Sequence, residues 1–204
     1  MSVGCFERRE TILQDEELVR RFQRGETDAF DPLYRRYRDQ ALRMAYLITG
    51  SRSDAEDVVQ ETFVSCYRQL GRLREPSRFR PWLLRSLTRA AWRACGKARR
   101  EEPVPEFFET ARGADESALE PVLRRETADR LYRALRALDP KRRTIVVLYY
   151  WDEMPVREIA RVTGCLEGTV KSRLHSARTL LRQALENDEG IIKEVHTHEK
   201  GYAG

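Results

Sequence analysis

The chain has 204 residues, of which 41% are hydrophobic and 35% charged, and Lys plus Arg outnumber Asp plus Glu by 38 to 33 for a net charge of +5. That is too apolar for a disordered chain and long enough for one large or two small packed domains, while the modest basic excess admits a polyanionic partner without demanding one. Cys5, Cys66, Cys95 and Cys165 form no C-x-x-C pair, which argues against a zinc knuckle or a disulfide framework; no apolar run reaches the roughly 18 residues of a membrane span, so a cytoplasmic protein with no membrane insertion is expected.

Helical spacing dominates the pattern and no segment alternates as a strand for long, so the fold class is all-α. Residues 1–14 read as a flexible amino terminus. A first helical domain spans 15–100, punctuated at Gly25, at Gly50-Ser51 and around Glu75-Pro76-Ser77. Ser53-Asp54-Ala55-Glu56 has the form of a capping box, which predicts a helix beginning there and running towards Leu70. On that helix Asp54, Asp57 and Glu61 recur at i, i+3 and i+7 with Glu56 and Gln60 beside them, whereas Val59, Phe63, Cys66 and Leu70 fall on the inner side. An acidic face of this kind cannot lie on phosphates; it suits water or a basic protein surface.

Between Pro76 and Arg100 no acid occurs, while Arg78, Arg80, Arg85, Arg89, Arg93, Lys97, Arg99 and Arg100 all carry positive charge. Arg85, Arg89, Arg93 and Lys97 recur at i+4 as one basic stripe, with Leu83, Leu87, Ala90 and Ala94 turned towards a core. No carboxylate within the segment neutralises the stripe, and Phe79, Trp82 and Trp92 are interleaved with it. Cations to hold phosphates beside rings on which bases can stack are what single-stranded nucleic acid requires.

Residues 101–125 break the periodicity with Pro103, Pro105, Gly113 and Pro121 among many acids and read as a flexible linker. A second helical domain follows over 126–186. Leu131, Leu135 and Leu138 are expected to form the buried stripe of its first helix, and Asp139-Pro140 reads as an N-cap followed by proline at the first helical position. That start favours a buried helix over a strand for Thr144 to Trp151, despite the β-branched run there. Val156 to Gly164 and Gly168 to Arg178 then make two short amphipathic helices joined by a glycine-containing turn, a helix-turn-helix. Val170, Leu174, Ala177 and Leu181 form its inner row, leaving Lys171, Ser172, His175 and Arg178 outside; Gly168 permits close backbone approach, and Thr169 can offer a hydroxyl and an amide to a phosphate. Residues 187–204 read as a mobile tail, whose His196-Thr197-His198 lacks the further ligands of a metal site.

Taken together, these segments resemble the extracytoplasmic-function (ECF) sigma factors, the compact two-domain branch of the bacterial sigma factors. Asp54-Ala55-Glu56-Asp57-Val58-Val59-Gln60-Glu61-Thr62-Phe63 is similar to the segment that grips the clamp coiled coil of the largest RNA polymerase subunit. Phe79-Arg80-Pro81-Trp82-Leu83-Leu84-Arg85 is similar to the start of the promoter-melting helix, and Gly168 to Leu174 to the signature on the recognition helix. The resemblance implies a sigma region 2-like bundle and a region 4-like helix-turn-helix domain. It implies that Asp57, Gln60 and Glu61 dock on core polymerase, and that Arg78, Arg80, Trp82, Arg85, Arg89, Arg93 and Lys97 hold the minus-ten strand, with the loop from Arg74 to Arg80 contributing. Gly168, Thr169, Lys171, Ser172, Arg173, His175 and Arg178 are implied to contact the minus-thirty-five duplex. The implied partners are core RNA polymerase (clamp coiled coil and flap), promoter DNA and an anti-sigma factor; the linker would thread the polymerase channels, and no cofactor is implied. One departure stands out. The family commonly shows an Arg-Asn pair in the middle of the melting helix and an aspartate a few residues on, where this chain has Thr88-Arg89 and then Arg93. That exchanges a base-reading amide for phosphate affinity.

The alternatives are a free-standing helix-turn-helix regulator and a nucleic-acid-processing enzyme. The second is disfavoured, because His175, His196 and His198 are the only histidines and no Asp/Glu/His cluster has acid-base or metal-ligand spacing.

Overall fold

Helix α1, over residues 14–23, ends where Gly25 takes a φ of 100°, a left-handed turn that only glycine adopts at no cost. This computed structural model describes residues 14–97 and 129–199, with side chains over 14–96 and 129–185. The expected flexible amino terminus up to residue 13, the linker over 101–125 and the side chain of Lys97 lie outside the described residues, as does the segment 126–128.

A 3-10 turn at Thr27–Ala29 leads into α2, Phe30–Thr49, whose Leu33, Tyr37, Ala41, Met44, Ala45 and Ile48 are buried at helical spacing. Gly50 terminates it in the left-handed conformation, its amide donating to the Tyr46 carbonyl at 2.8 Å. Helix α3, Arg52–Gln69, starts two residues after that stop: Ser51 is extended and its hydroxyl accepts from the Asp54 amide at 3.2 Å. The cap expected at Ser53 is therefore two residues earlier, because Gly50 has already ended α2 and Ser51 is the first extended residue after it.

After a 3-10 turn at Leu70–Arg72, another at Pro76–Arg78 delivers the chain into α4, Phe79–Lys97, which packs on α2 and α3 through Phe79, Leu83, Leu84, Leu87, Ala90 and Ala91. Burying one such Leu or Phe side chain contributes roughly 1.5–3 kcal/mol. The first domain is thus a bundle whose apolar interior runs unbroken from Val19 to Ala91.

In the second domain α5 occupies 129–137. Tyr132, Ala134, Leu135 and Leu138 are buried there while Leu131 stands 47% exposed, so the expected stripe shifts by one position. Helix α6, Pro140–Val146, has the expected cap: the Asp139 carboxylate accepts from the amides of Lys141 and Arg142, each at 3.1 Å. The segment to Trp151 is helical as expected, but from Val147 it widens into a π-helix, Val147–Trp151, closed by the Asp152 amide donating five residues back to Val147. Helix α7, Val156–Thr163, stops at left-handed Gly164, and α8, Glu167–Glu199, follows after the tight turn. Within the segment read as a tail, the backbone is helical as far as Glu199. Among the described residues there is no strand, and no helix is long and apolar enough to cross a membrane. Cys66, Cys95 and Cys165 are free thiols, and burial pushes Cys66 up to about 12.

The two domains are packed together. One hydrophobic cluster continues from the first bundle into Tyr132, Leu135, Ile145, Val147, Ile159 and Val170. Arg143, only 8% exposed, donates from α6 to the Ile48 carbonyl of α2 at 2.8 Å and also to the carbonyls of Arg136 and Leu138.

Candidate nucleic-acid interface

On α3, Val58, Val59, Thr62, Phe63 and Cys66 are buried, which rotates Asp57, Gln60 and Glu61 outward; all three are exposed. Val64, 43% exposed, and Arg68 border the same shallow depression, so the acidic face carries an apolar centre that the charge pattern did not disclose. Glu61 is engaged: Arg93 of α4 donates to it at 2.5 Å, with both side chains more than half exposed. The basic stripe is therefore partly neutralised across the helices, although no acid within its own segment does so, and Arg93 belongs to the α3–α4 groove. An exposed pair of this kind contributes little stability.

The remainder of the stripe divides. Arg85 and Arg89 are exposed with no ion pair among the described residues, while Arg78 pairs with Glu75. Phe79 is wholly buried, its ring tilted against Tyr37 at 5.6 Å, so it anchors α4 and is not available to stack on a base. Trp82 is half-buried at the wall of a cavity of about 830 Å³ lined also by Arg74, Arg78, Arg80 and Arg85. Trp92 is half-buried too, and its indole N–H donates to the Thr144 hydroxyl of α6 at 2.9 Å. Arg80 reaches across to Asp152, donating at 2.5 Å, and Gln40 donates to the same carboxylate. The structure therefore brings Trp82, Arg85 and Arg89 to one accessible face, together with Arg78. It assigns Arg80 and Trp92 to the seam between the domains.

Beneath that face lies a buried polar site. Asp15, 2% exposed, accepts from the Tyr37 hydroxyl and from Arg36. Burial raises its carboxyl above the ordinary 3.8 against the opposing pull of those donors, and the Tyr37 phenol is pushed far up by burial and by its bond to Asp15.

In the helix-turn-helix, Val170, Leu174 and Ala177 are buried with Leu181 packed against the cluster, as the spacing predicts. Gly168, Lys171, Ser172, His175 and Arg178 are exposed along α8, and Thr169 and Arg173 are half-buried on the flank. A Cβ added at Gly168 would meet nothing within 4 Å. The fold itself does not require glycine there. Arg178 is held in place: its Nε donates to the Tyr150 hydroxyl at 2.6 Å, and the guanidinium lies 5.6 Å from the centroids of both Tyr149 and Tyr150. The hydrogen bond to Tyr150 stabilises its charged form. Sequence reasoning missed this clasp, since both tyrosines read as core of a buried helix. It also missed Leu166, 79% exposed in the turn just before α8, and Asp152.

A sigma-70 region 2 family model matches residues 33–101, and a sigma-70 region 4 model matches residues 128–181. The RNA polymerase sigma-H factor of Pseudomonas aeruginosa is 33% identical over 182 residues, covering 85% of this chain and 94% of that protein. The ECF RNA polymerase sigma factor SigM of Mycobacterium tuberculosis (strain H37Rv) is 32% identical, covering 84% of each. Among solved structures, CnrH in complex with the cytosolic domain of CnrY superposes with a TM-score of 0.65 at 27% identity, covering 86% of this chain and 99% of that one. The sigma factor RpoE of Bartonella quintana, solved with the anti-sigma factor NepR, shares the fold at a TM-score of 0.56 and 20% identity, over 77% of this chain and 96% of that one.

Proposed function

The chain belongs to the extracytoplasmic-function sigma factors, and from that membership we propose how its surfaces divide the work of directing RNA polymerase to promoters. The exposed face of α3, with Asp57, Gln60 and Glu61 around Val64, docks on the polymerase clamp. Its acids supply complementarity to a basic partner and its apolar centre supplies buried area. Arg85 and Arg89 hold the phosphates of the minus-ten strand while Trp82 offers a ring to a displaced base, with Arg78 and, once released from Asp152, Arg80 extending the grip. The outer row of α8 enters the major groove of the minus-thirty-five element. Lys171 and Arg178 flank it to reach phosphates, while Ser172 and His175 face base edges.

The observation that carries this reading is the coexistence, in one chain, of exposed arginines beside Trp82 on α4 that have no ion pair among the described residues and an exposed polar row on α8. Thr88 is wholly buried in the middle of α4 and Arg89 is exposed, so the chain presents a cation at the position where the family pattern commonly has an asparagine. Its hold on the minus-ten strand accordingly leans on phosphates, with a steep salt dependence. The factor acts without catalysis of its own. CnrH was solved in complex with the cytosolic domain of CnrY, which supports a protein partner of the anti-sigma kind for this chain. Run-off transcription from genomic fragments with core polymerase tests the reading: initiation at defined sites only when this protein is added supports it, and an unchanged transcript pattern overturns it.

A further inference from the structure

Lys171 and Arg178 stand two turns apart on the outer row of α8, yet they are held differently. Lys171 is exposed with no described acid partner. Arg178 is fixed from more than one direction: its Nε donates to the Tyr150 hydroxyl at 2.6 Å, and its guanidinium lies 5.6 Å from the ring centroids of both Tyr149 and Tyr150, within cation–π range. The two rings meet edge to face, 4.9 Å apart at 80°. Both come from the π-helix Val147–Trp151, in which a turn closes over five residues instead of four, so its side chains are rotated out of the register of α6. Tyr149 is half-buried there and Tyr150 stands 54% exposed. The same stretch is tied to α8 two residues before Arg178, where Arg142 of α6 donates to the Ser176 hydroxyl at 2.7 Å. The platform under Arg178 is thus fixed relative to the helix that carries it. None of these partners is a carboxylate, so the guanidinium is ordered while its charge is left without a described counter-ion.

We propose that Tyr150, with Tyr149 beside it, is a positioning residue for DNA binding: it holds Arg178 in one arrangement, so that a phosphate flanking the minus-thirty-five duplex meets a preset cation. The inference rests on the reading of α8 as the minus-thirty-five reader and says how one of its contacts is set. An arginine gives up rotamer freedom when it binds a phosphate. One already ordered in the free protein gives up less, and the difference appears as affinity. Lysine at position 178 keeps the charge but not the preset position, because an ammonium on a flexible stem has neither the Nε–H that Tyr150 accepts nor a planar group to lie against the rings.

The experiment uses holoenzyme assembled with full-length wild type, Tyr150→Phe, Arg178→Lys, Arg178→Ala or Tyr150→Phe/Arg178→Ala, on a promoter fragment at which wild-type holoenzyme gives a defined start. Affinity is titrated over a range of salt, and the unfolding midpoint of each free chain is recorded. Tyr150→Phe keeps the ring and removes the hydroxyl. It should weaken binding about threefold to tenfold, the range set by ordering one rotamer-rich side chain, while the slope of log affinity against log salt and the midpoint stay as in wild type. Arg178→Lys should behave in the same way. Arg178→Ala should lower the slope by about 0.9, and adding Tyr150→Phe to it should cost nothing further, since no guanidinium is left to position. An equal loss from Tyr150→Phe with and without Arg178 overturns the proposal. So does unaltered or tighter binding by Tyr150→Phe, or a loss that follows a fall in the midpoint. If Arg178→Ala binds as wild type does with an unchanged slope, the reading of Arg178 as a phosphate contact fails and takes the proposal with it; if that variant is defective while Tyr150→Phe is not, the contact stands and the positioning alone is lost.

Discussion

Gly168 is the second residue of α8, and no atom of the protein lies close enough to forbid a side chain there. Glycine in a helix is less favourable than alanine by about 0.5–1 kcal/mol, so the chain accepts a cost that its own packing does not explain. Close approach of a DNA backbone does explain it. Gly168→Ala should therefore leave thermal stability unchanged or slightly raised while weakening minus-thirty-five duplex binding about fivefold or more, the consequence of an added methyl in a filled contact. A variant that binds as well as wild type in a duplex titration would remove the close approach. Lys171 bears on the same surface through charge alone, being exposed with no described acid partner. Lys171→Ala should reduce the slope of log affinity against log salt by about 0.9, the release associated with one phosphate contact. The exposed row on α8 was readable from spacing because one inner row fixes the outer one. The position of Arg178 was not, since the Tyr149–Tyr150 clasp depends on a helix 28 residues upstream.

At the scale of elements, helix boundaries were legible wherever a single residue decides them. Gly25, Gly50 and Gly164 all adopt positive φ and all end helices, and Asp139-Pro140 begins one. The π-helix was not legible: Ile145, Val146, Val147 and Leu148 are all buried, and a run apolar on every side carries no period from which a widened turn can be read. The Asp139 cap joins the domain's start to its recognition helix, because Arg142, which bonds that carboxylate, also donates to the Ser176 hydroxyl on α8 at 2.7 Å. Burial alone would raise the Asp139 carboxyl, but the Arg142 side chain and the two capping amides outweigh it and hold it below its ordinary 3.8. A carboxylate depressed in the folded state stabilises above its unfolded value and loses that contribution as pH falls through the folded one. Asp139→Ala should cost about 1 kcal/mol near neutral pH, Asp139→Asn much less, and the gap between wild type and the alanine variant should close on acidification below 3.8 in denaturant titrations. On α3, lysine at both Gln60 and Glu61 replaces exposed side chains and breaks only the solvent-facing Glu61–Arg93 pair. The unfolding midpoint should scarcely move, by about 0.5 kcal/mol or less, while a pull-down with core polymerase should fail.

Across the whole molecule, two domains and a connection were legible in the sequence, but their docking was not. Tyr132, Leu135 and Val147 would be apolar and buried in a lone domain as readily as at a seam, so their pattern does not distinguish the two. The polar residues that decide the matter, Arg80, Trp92, Arg143 and Asp152, look like surface or core until their partners on the other domain are seen. Arg143 shows how strong the coupling is. Its guanidinium is buried, which lowers its pKa by desolvation, yet it has no described carboxylate partner and instead serves three backbone carbonyls, at Ile48, Arg136 and Leu138. Those acceptors lie on α2 and on the α5–α6 junction, so one side chain fastens the end of one domain to the opening of the other. Arg143→Ala leaves buried carbonyls unsatisfied at about 1–3 kcal/mol each where water cannot replace the donor. Arg143→Lys does not restore the set, because an ammonium on a flexible stem lacks the planar fork that spans carbonyls on two elements. In calorimetry the free wild-type chain should unfold as one cooperative transition, whereas Arg143→Ala should unfold earlier and resolve into two, the less stable being the second domain. A single transition shifted without splitting would mean that the apolar cluster, not Arg143, joins the domains.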